Sequence, residues 1–442
     1  MRRSTIRCVA MIVIVLLVMA ALVVFPVGAQ SPGQIAYLGT GGSVWLIDMG
    51  SGERVQLAGT EGFVGLDWAP DGQRLVLVKG GPAGSGSDEI FVVDVEGGTT
   101  TKIADGYAPV WSSDSQRILY VGNFTPSEQG AEQSLGLISI EDGTDSILAA
   151  QRWVSGLWPI ERVLYSGDEK LIAVYVAGLE MEGHLVIVDD GGRPVWEIPD
   201  FVYSADGFAW SPDDGRLAYR DSGEPFMGGE SPSLKIVRPE SQEVVLALER
   251  AGFWPCWSPD GESVAALLWE EGGGFRVMIV DPLDGELVLQ SERTFDDLWN
   301  SELSWSPDGS SLLFTWAEND SRQVLVMDRR GESRPIAEGK RPEMHWSPDG
   351  TRVASAMGEE GDREIFVVEA DGSDLRKVAD GSMPRWRPHT AGEQGGAPLC
   401  GLPLLGSSAI LFMAFRGLVV PRVRNAENVA QVPLPGLTSP AE

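Results

Sequence analysis

Short apolar runs recur along most of the chain, and polar or glycine-containing segments separate them. Three examples are Arg74–Val78, Arg117–Val121 and Ser311–Thr315, in which most residues are apolar or β-branched. Runs of this length and composition predict β-strands. The pattern therefore predicts a chain of many short strands joined by turns.

The motif Trp-Ser-Pro-Asp-Gly precedes several of these runs and is complete from Trp257, Trp305 and Trp346. Proline presets φ at the second position of a turn, aspartate or serine bonds to the turn backbone, and glycine accepts a positive φ. The motif therefore predicts a strand that ends at Trp, a tight reversal, and a second strand after it.

Altered copies extend the motif to eight positions, spaced 43, 54, 45, 47, 48, 41 and 40 residues apart. The first positions of the copies are Trp68, Trp111, Tyr165, Trp210, Trp257, Trp305, Trp346 and Trp386. A repeat of this period predicts a propeller or a solenoid. One large aromatic side chain per unit predicts a structural role, in which these residues pack between neighbouring sheets.

The first and last repeats are each incomplete. Three strands are predicted between Gln34 and Leu57 without a preceding motif, while Ser382–Trp386 resembles an inner strand with no strand after it. Joining the two ends would complete one blade and remove exposed sheet edges. The sequence therefore predicts an all-β fold, a single propeller of eight four-stranded blades over residues 34–388. The alternative is seven blades, with the unit between Asn123 and Tyr165 degenerate.

Two repeats agree beyond the motif itself. Glu89–Gly97 and Glu364–Gly372 match register for register, and each contains a hairpin turn with glycine. With the Trp-Ser-Pro-Asp-Gly copies, these repeats resemble those of TolB-like β-propellers over about residues 34–388. The resemblance implies the fold, in a family that includes periplasmic interaction proteins and propellers attached to serine peptidases. The expected blade number exceeds the six of TolB itself, and no hydrolase domain follows the repeats.

The two ends of the chain have different compositions from the repeats. Residues 1–29 combine a basic start, an apolar run and small residues before Gln30, which predicts an export signal; the alternative is an uncleaved anchor. Residues 389–398 are predicted to be a linker and 422–442 a disordered tail. The apolar segment 399–421 predicts membrane attachment or a sorting signal, with an amphipathic or disordered tail as the alternative.

Charge and cysteine content limit the partners and the compartment. The chain has 64 acidic and 34 basic residues, a formal net charge of -30. Such a surface repels phosphate backbones, so nucleic acid is not expected as a partner. Cys8, Cys256 and Cys400 predict no disulfide framework.

The sequence lacks the motifs of common catalytic sites. It contains no Gly-x-Ser-x-Gly elbow, no His-Glu-x-x-His pair and no nucleotide-binding loop. His345, directly before a Trp motif, is expected to pack or to bond within a strand. The chain is therefore predicted to lack catalytic residues and resident cofactors, and not to be an enzyme.

Acidic residues recur on the loops predicted to join the second and third strands of the blades. We define an acidic rim by Glu270, Glu271, Glu318, Asp320, Glu359, Glu360 and Asp362, and Glu128, Glu132, Glu180, Glu182, Glu224 and Glu230 continue the series. Loops on a rigid scaffold often carry binding sites. The rim is predicted to bind a basic partner or a divalent cation such as calcium; the alternative is an ordinary acidic surface.

These features together predict an exported propeller, attached to the cell envelope, that binds a protein or another envelope component. Two alternatives remain open at this stage. One is a glycan-active enzyme that uses carboxylates at the channel mouth. The other is a passive surface structural protein.

Overall fold

The computed structural model describes residues 33–388, apart from gaps at 58–61, 82–86, 124, 128–129, 151–159, 178–181, 199–201, 204–206, 213–214, 222–232, 271–272, 296–301, 319–320 and 360. The predicted signal segment (1–29), linker (389–398), apolar segment (399–421) and tail (422–442) lie outside this part. Within it, no helix is long and apolar enough to span a membrane.

The described chain consists of β-strands and one short 3₁₀ turn, Thr40–Gly42. The strands are β1 Gln34–Leu38, β2 Val44–Asp48, β3 Arg54–Gln56, β4 Phe63–Trp68, β5 Arg74–Lys79, β6 Glu89–Asp94, β7 Thr99–Trp111, β8 Arg117–Gly122, β9 Thr125–Ser127, β10 Gly130–Glu132, β11 Ser134–Ser139, β12 Asp145–Ala150, β13 Ile160–Tyr165, β14 Leu171–Ala177, β15 Glu182–Asp189, β16 Pro194–Glu197, β17 Val202–Tyr203, β18 Phe208–Trp210, β19 Leu217–Asp221, β20 Ser233–Arg238, β21 Glu243–Glu249, β22 Ala251–Trp257, β23 Val264–Trp269, β24 Phe275–Val280, β25 Leu287–Gln290, β26 Ser304–Trp305, β27 Ser311–Glu318, β28 Ser321–Asp328, β29 Ser333–Gly339, β30 Glu343–Trp346, β31 Arg352–Glu359, β32 Asp362–Glu369, β33 Arg376–Asp380 and β34 Ser382–Trp386.

The predicted all-β propeller is confirmed. Apart from β17 and the separate β9–β10 hairpin, the described strands group into eight antiparallel four-stranded units, which we call blades and number from the N-terminus. From the inner to the outer strand, the blades are β34-β1-β2-β3, β4-β5-β6-β7, β7-β8-β11-β12, β13-β14-β15-β16, β18-β19-β20-β21, β22-β23-β24-β25, β26-β27-β28-β29 and β30-β31-β32-β33. The long strand β7 belongs to both blade 2 and blade 3, and β17 links blades 4 and 5.

The two ends of the repeat region meet in blade 1. There, Ile35 pairs with Trp386 and Ala36 with Arg385, so the last strand completes the first sheet. Arg387 continues this contact, since its backbone N–H donates to the carbonyl oxygen of Gln34 at 2.7 Å. The pairing removes two sheet edges that would otherwise be open.

The hydrophobic core lies between the blades. Eight clusters of buried apolar residues each join two adjacent blades. Seven contain the tryptophan that begins one repeat, and the partly buried Tyr165 packs against the eighth. Trp257, for example, has 0% of its surface exposed and packs with residues of blades 5 and 6. The repeated aromatic residue therefore has the structural role that its period predicts.

A hydrogen bond fixes most of these indoles in the same way. Trp257 Nε1 donates to the carbonyl oxygen of Ala209 at 3.0 Å, and Ala209 directly precedes the tryptophan of the previous blade. The equivalent bonds in other blades are those of Trp68, Trp210, Trp305, Trp346 and Trp386. In blade 3, Trp111 Nε1 is buried and has no hydrogen-bond partner among the residues that the structure describes.

The turn after the tryptophan has the chemistry predicted for it. Ser258 Oγ donates to Asp260 Oδ1 at 2.5 Å and accepts the backbone N–H of Ser263 at 2.9 Å. Gly261 has φ +71°, a conformation that favours glycine. Burial opposes ionisation of Asp260, but its hydrogen bonds from Ser258 and from the backbone N–H of Glu262 outweigh burial and lower the pKa of Asp260.

Candidate functional site

The described part of the predicted acidic rim lies on the side of the ring opposite the Trp-Ser-Pro-Asp-Gly turns. In an antiparallel blade the first and third connections share one side, and the second connection lies on the other. We call these the turn side and the loop side. Among the rim residues, the structure describes the side chains of Glu270, Glu359 and Asp362.

The remaining rim positions fall outside the described parts of the loops. The residues in the gaps are Glu128, Glu180, Glu224, Glu230, Glu271, Asp320 and Glu360, and the side chains of Glu132, Glu182 and Glu318 are likewise not described. Whether the rim forms one continuous acidic surface therefore remains a prediction.

Two of the three described rim acids contact basic side chains. Glu270 Oε1 lies 2.8 Å from Arg276 Nε, and Glu359 Oε1 lies 3.1 Å from Lys340 Nζ. The hydrogen bond from Lys340 lowers the pKa of Glu359. Glu359 and Asp362 are paired opposite each other in the β31–β32 hairpin. Among the described residues, no group of three or more His, Cys, Asp or Glu could hold a metal ion.

A group of ionisable side chains lies on the inner strands of blades 8, 1 and 2, and we call it the inner-edge cluster. It consists of His345 on β30, Arg385 on β34 and Asp67 on β4. Arg385 Nη1 contacts His345 Nε2, and Arg385 Nε lies 4.0 Å from Asp67 Oδ1. One arginine thus reaches charged or polar groups on both neighbouring blades.

The cluster occupies equivalent positions in its three blades, because each residue directly precedes the aromatic residue of its repeat. The residues at this position around the ring are Asp67, Val110, Leu164, Ala209, Cys256, Ser304, His345 and Arg385. The acidic residue, the histidine and the arginine come from consecutive blades once the ring closes. The three ionisable groups therefore occupy one sector of the inner edge.

Burial changes the acid–base behaviour of this cluster. It raises the pKa of Asp67 to about 6, although Arg385 and the backbone N–H of Trp68 act in the opposite direction. Burial and the positive charge of Arg385 lower the pKa of His345, so the imidazole is neutral at neutral pH. The expectation that His345 packs or bonds within a strand did not include this contact with Arg385.

Comparisons with known proteins support the fold. No family model and no curated protein sequence matches the chain. A crystal structure of a eukaryotic initiation factor has a TM-score of 0.51 and 14% identity, and the match covers 81% of this chain and 99% of that one. At such identity the likeness shows the fold alone.

Two further solved structures resemble the chain more distantly. TolB from Acinetobacter baumannii has a TM-score of 0.38 and 14% identity, with 82% of this chain and 68% of that one covered. The β-propeller domain of the Trilobed protease from Pyrococcus furiosus has a TM-score of 0.46 and 15% identity, with 72% and 96% covered. By its fold the chain is a β-propeller, and its repeats resemble those of TolB-like propellers.

Proposed function

We propose that this propeller is an exported, non-catalytic binding scaffold whose loop side binds a basic protein or another component of the cell envelope. The observation that carries the proposal is the contrast between the two sides of the ring. On the turn side, Asp260, Asp308 and Asp349 accept hydrogen bonds from the serines of their own turns. These carboxylates stabilise the turns.

On the loop side, the described carboxylates of the β31–β32 hairpin are at the surface. Glu359 is 58% exposed in its ion pair with Lys340, and Asp362 is also exposed. Exposed ion pairs contribute little to stability, since water screens both charges. A basic partner can exchange places with Lys340 or Arg276, and the formal charge of -30 would attract it from a distance.

Affinity capture with the full chain tests this proposal. The tagged protein is incubated with solubilised bacterial envelopes at about 0.1 M and about 0.5 M salt, and the bound proteins are identified by mass spectrometry. We expect a reproducible basic component whose recovery falls at the higher salt. Recovery of the same proteins as with an unrelated tagged acidic protein would contradict the proposal.

Calcium is the second ligand proposed for the acidic rim. Calorimetric titration of the full chain with calcium, and with magnesium as the control, measures this directly. Binding at the rim predicts heat of binding and a raised melting temperature, both reduced in Glu359→Gln. The absence of both signals in the wild-type chain would contradict calcium binding at the rim.

The non-catalytic character of the chain is a separate part of the proposal. A panel of glycan hydrolase and lyase substrates tests it against the alternative of carboxylate catalysis at the channel mouth. We expect no turnover above background. Turnover that disappears in Asp67→Asn or Glu270→Gln would identify an enzyme and overturn this part.

Export and attachment are proposed from the two ends of the chain. We expect residues 1–29 to direct export and residues 399–421 to retain the protein in the envelope. Cell fractionation compares the full chain with a chain that ends at Pro388. The shorter chain should be exported but recovered in the soluble fraction, and equal envelope recovery of both would contradict attachment through this segment.

A further inference from the structure

Exposed apolar side chains concentrate on the outer edge of blades 5 and 6. Among the residues that the structure describes, eight large apolar side chains are exposed, and four of them lie at this edge. We call these four the outer patch: Val244 on β21, Leu283 in the turn between β24 and β25, and Leu287 and Val288 on β25. Apolar side chains grouped in this way mark interaction sites, whereas single exposed ones do not.

The two blades are in contact at this edge. Gly285 lies in the same turn as Leu283, and a methyl group on it would approach Leu246 Cδ1 to 2.8 Å and Leu248 Cδ2 to 3.0 Å. Both leucines are on β21, the outer strand of blade 5. The turn of blade 6 therefore packs on the outer strand of blade 5, and the exposed residues of the two blades belong to one surface.

The outer strand of blade 6 lacks the residues that normally protect a sheet edge. β25, Leu287–Gln290, ends its sheet and contains no charged residue and no proline. Every other outer strand that the structure describes contains at least one charged residue, and β16 and β29 also contain proline. Charges and prolines on outer strands prevent association between sheet edges. Of the described blades, blade 6 is therefore the one whose outer strand favours such association.

Charged residues of opposite sign lie at the two ends of β25. Asp284 and Glu286 precede the strand, and both are exposed. At the other end, the β28–β29 turn of blade 7 contacts the segment after the strand, since the carbonyl oxygen of Gly331 accepts the backbone N–H of Glu292 at 3.2 Å. The exposed charged residues at that end are three arginines, Arg293, Arg329 and Arg330, and two acids, Glu292 and Glu332. One end of β25 is therefore acidic and the other has an excess of positive charge.

From this arrangement we propose that two copies of the chain associate side by side through the outer patch, about a two-fold axis that crosses β25. In such a contact the same surface of both copies is used, and the two β25 strands run in opposite directions. The acidic end of one copy then lies beside the basic end of the other, with Glu286 of one near Arg330 of the other. The outer edge is separate from the loop side, so this proposal is independent of the function proposed above.

The charges favour a second copy over a strongly basic partner. A basic partner suits a surface of one sign, whereas the opposite charges at the two ends of β25 complement the same surface in reversed orientation. The formal charge of -30 on each copy opposes association. At about 0.15 M salt, however, the Debye length of about 8 Å limits this repulsion to neighbouring charges. Because the patch is small, we expect a weak dimer with a Kd of about 10 μM.

Cysteine cross-linking of the purified full chain tests the contact at the patch. Val288→Cys is compared with Val55→Cys, because Val55 is also an exposed valine on an outer strand, in blade 1. A short bis-maleimide joins two thiols that lie close together, and the wild-type chain gives the background from the native cysteines. We expect a cross-linked dimer in Val288→Cys above the yield of the other two chains. Equal yields in Val288→Cys and Val55→Cys would overturn the proposal.

Sedimentation equilibrium of the full chain measures the affinity and the contribution of the patch. Val288→Lys places like charges near the two-fold axis, so the Kd should rise at least about tenfold, whereas Val55→Lys should associate like the wild type. Both valines are exposed, and unchanged melting temperatures would show that both variants fold. A wild-type chain that stays monomeric at about 100 μM, or equal Kd values in the two variants, would overturn the proposal.

Charge exchange distinguishes a second copy from other occupants of the patch. Glu286→Arg and Arg330→Glu each place like charges together across the axis and should raise the Kd at least about fivefold. Glu286→Arg also reduces the net charge of the chain, so weaker association in that variant cannot come from overall repulsion. The double variant restores opposite charges between copies and should return to within about twofold of the wild-type Kd. A double variant no tighter than either single variant would overturn the two-fold arrangement.

Discussion

The aromatic residue of each repeat and the residue just before it lie on the same inner strand, but only the aromatic position keeps the same kind of side chain around the ring. The aromatic residue recurs in all eight repeats, whereas the preceding position varies from alanine in blade 5 to arginine in blade 1. The structure gives the reason. The preceding residue stabilises the contact between blades through its backbone carbonyl oxygen, which accepts a hydrogen bond from the indole N–H of the next blade. Every residue has this backbone carbonyl whatever its side chain, so the side chain at this position can vary and can be ionisable.

Removal of an indole should produce the largest effect on stability. Trp257→Ala removes a fully buried side chain and its hydrogen bond to Ala209, and should lower the free energy of unfolding by about 3 to 5 kcal/mol. Trp269→Ala is the matched control, since Trp269 is 39% exposed. Chemical denaturation measures both. Equal losses in the two variants would contradict the special role of the repeated position.

The turn after the indole should matter less than the indole itself. Ser258→Ala removes the hydroxyl that connects Asp260 to the backbone N–H of Ser263. We expect a loss of about 1 to 3 kcal/mol, because Asp260 loses a donor and the N–H loses its acceptor. The exposed Ser241→Ala should be close to neutral. A neutral Ser258→Ala would show that water replaces the hydroxyl.

The turn motif and the inner-edge cluster should contribute to folding stability with opposite dependence on pH. The lowered pKa of Asp260 contributes stability that is present above its unfolded value near 3.8 and is lost as the pH falls through the folded value. The raised pKa of Asp67 contributes stability that is full below about 3.8 and is lost as the pH rises through about 6.

Melting temperatures between about pH 3 and pH 8 separate these two contributions. Asp67→Asn should remove the decline between about pH 4 and pH 6 and leave the acid loss in place. Asp260→Asn should reduce the acid loss and leave the higher range unchanged. An identical pH profile in Asp67→Asn and the wild-type chain would contradict the assigned burial of Asp67.

Rim substitutions should have the smallest effect on folding. Glu359→Gln removes an exposed ion pair with Lys340, and exposed pairs contribute little because of solvent screening. The melting temperature should not change measurably. A clear decrease would show that the loop side is part of the structural framework and would weaken its assignment to binding.

Local sequence chemistry was sufficient to predict most of the fold. The turn residues predict each reversal, the aromatic period predicts packing between blades, and the incomplete repeats at Gln34 and Trp386 predict how the sheet is completed. These features depend on residues close in sequence or on a repeated pattern, so one sequence suffices to find them.

Two features of the inner strands were not predicted. Ala108, Trp254 and Met383 have positive φ values of 49°, 50° and 53°, and each lies three residues before an aromatic repeat position beside a shift in strand register. Alanine, tryptophan and methionine do not favour this conformation. The packing of the ring imposes these bulges, and the local sequence does not predict them.

The inner-edge cluster was missed for a different reason. Asp67 and Arg385 are separated by almost the whole propeller and meet because the ring closes. The available signal was an alignment of the repeats on their aromatic residue, which places Asp67, His345 and Arg385 in one column. The acidic rim was predicted from acidic residues on the loops between the second and third strands, and it remains a prediction.

The most direct test of the account compares binding on the two sides of the ring. The loop-side variant Glu270→Gln, Glu359→Gln, Asp362→Asn and the turn-side variant Glu141→Gln, Glu262→Gln, Glu332→Gln remove the same formal charge from exposed or half-buried positions. Retention of each full chain on isolated envelopes is measured against the wild type. We predict at least about a tenfold loss for the loop-side variant and wild-type retention for the turn-side variant. Equal retention of the two would contradict a binding role for the loop side.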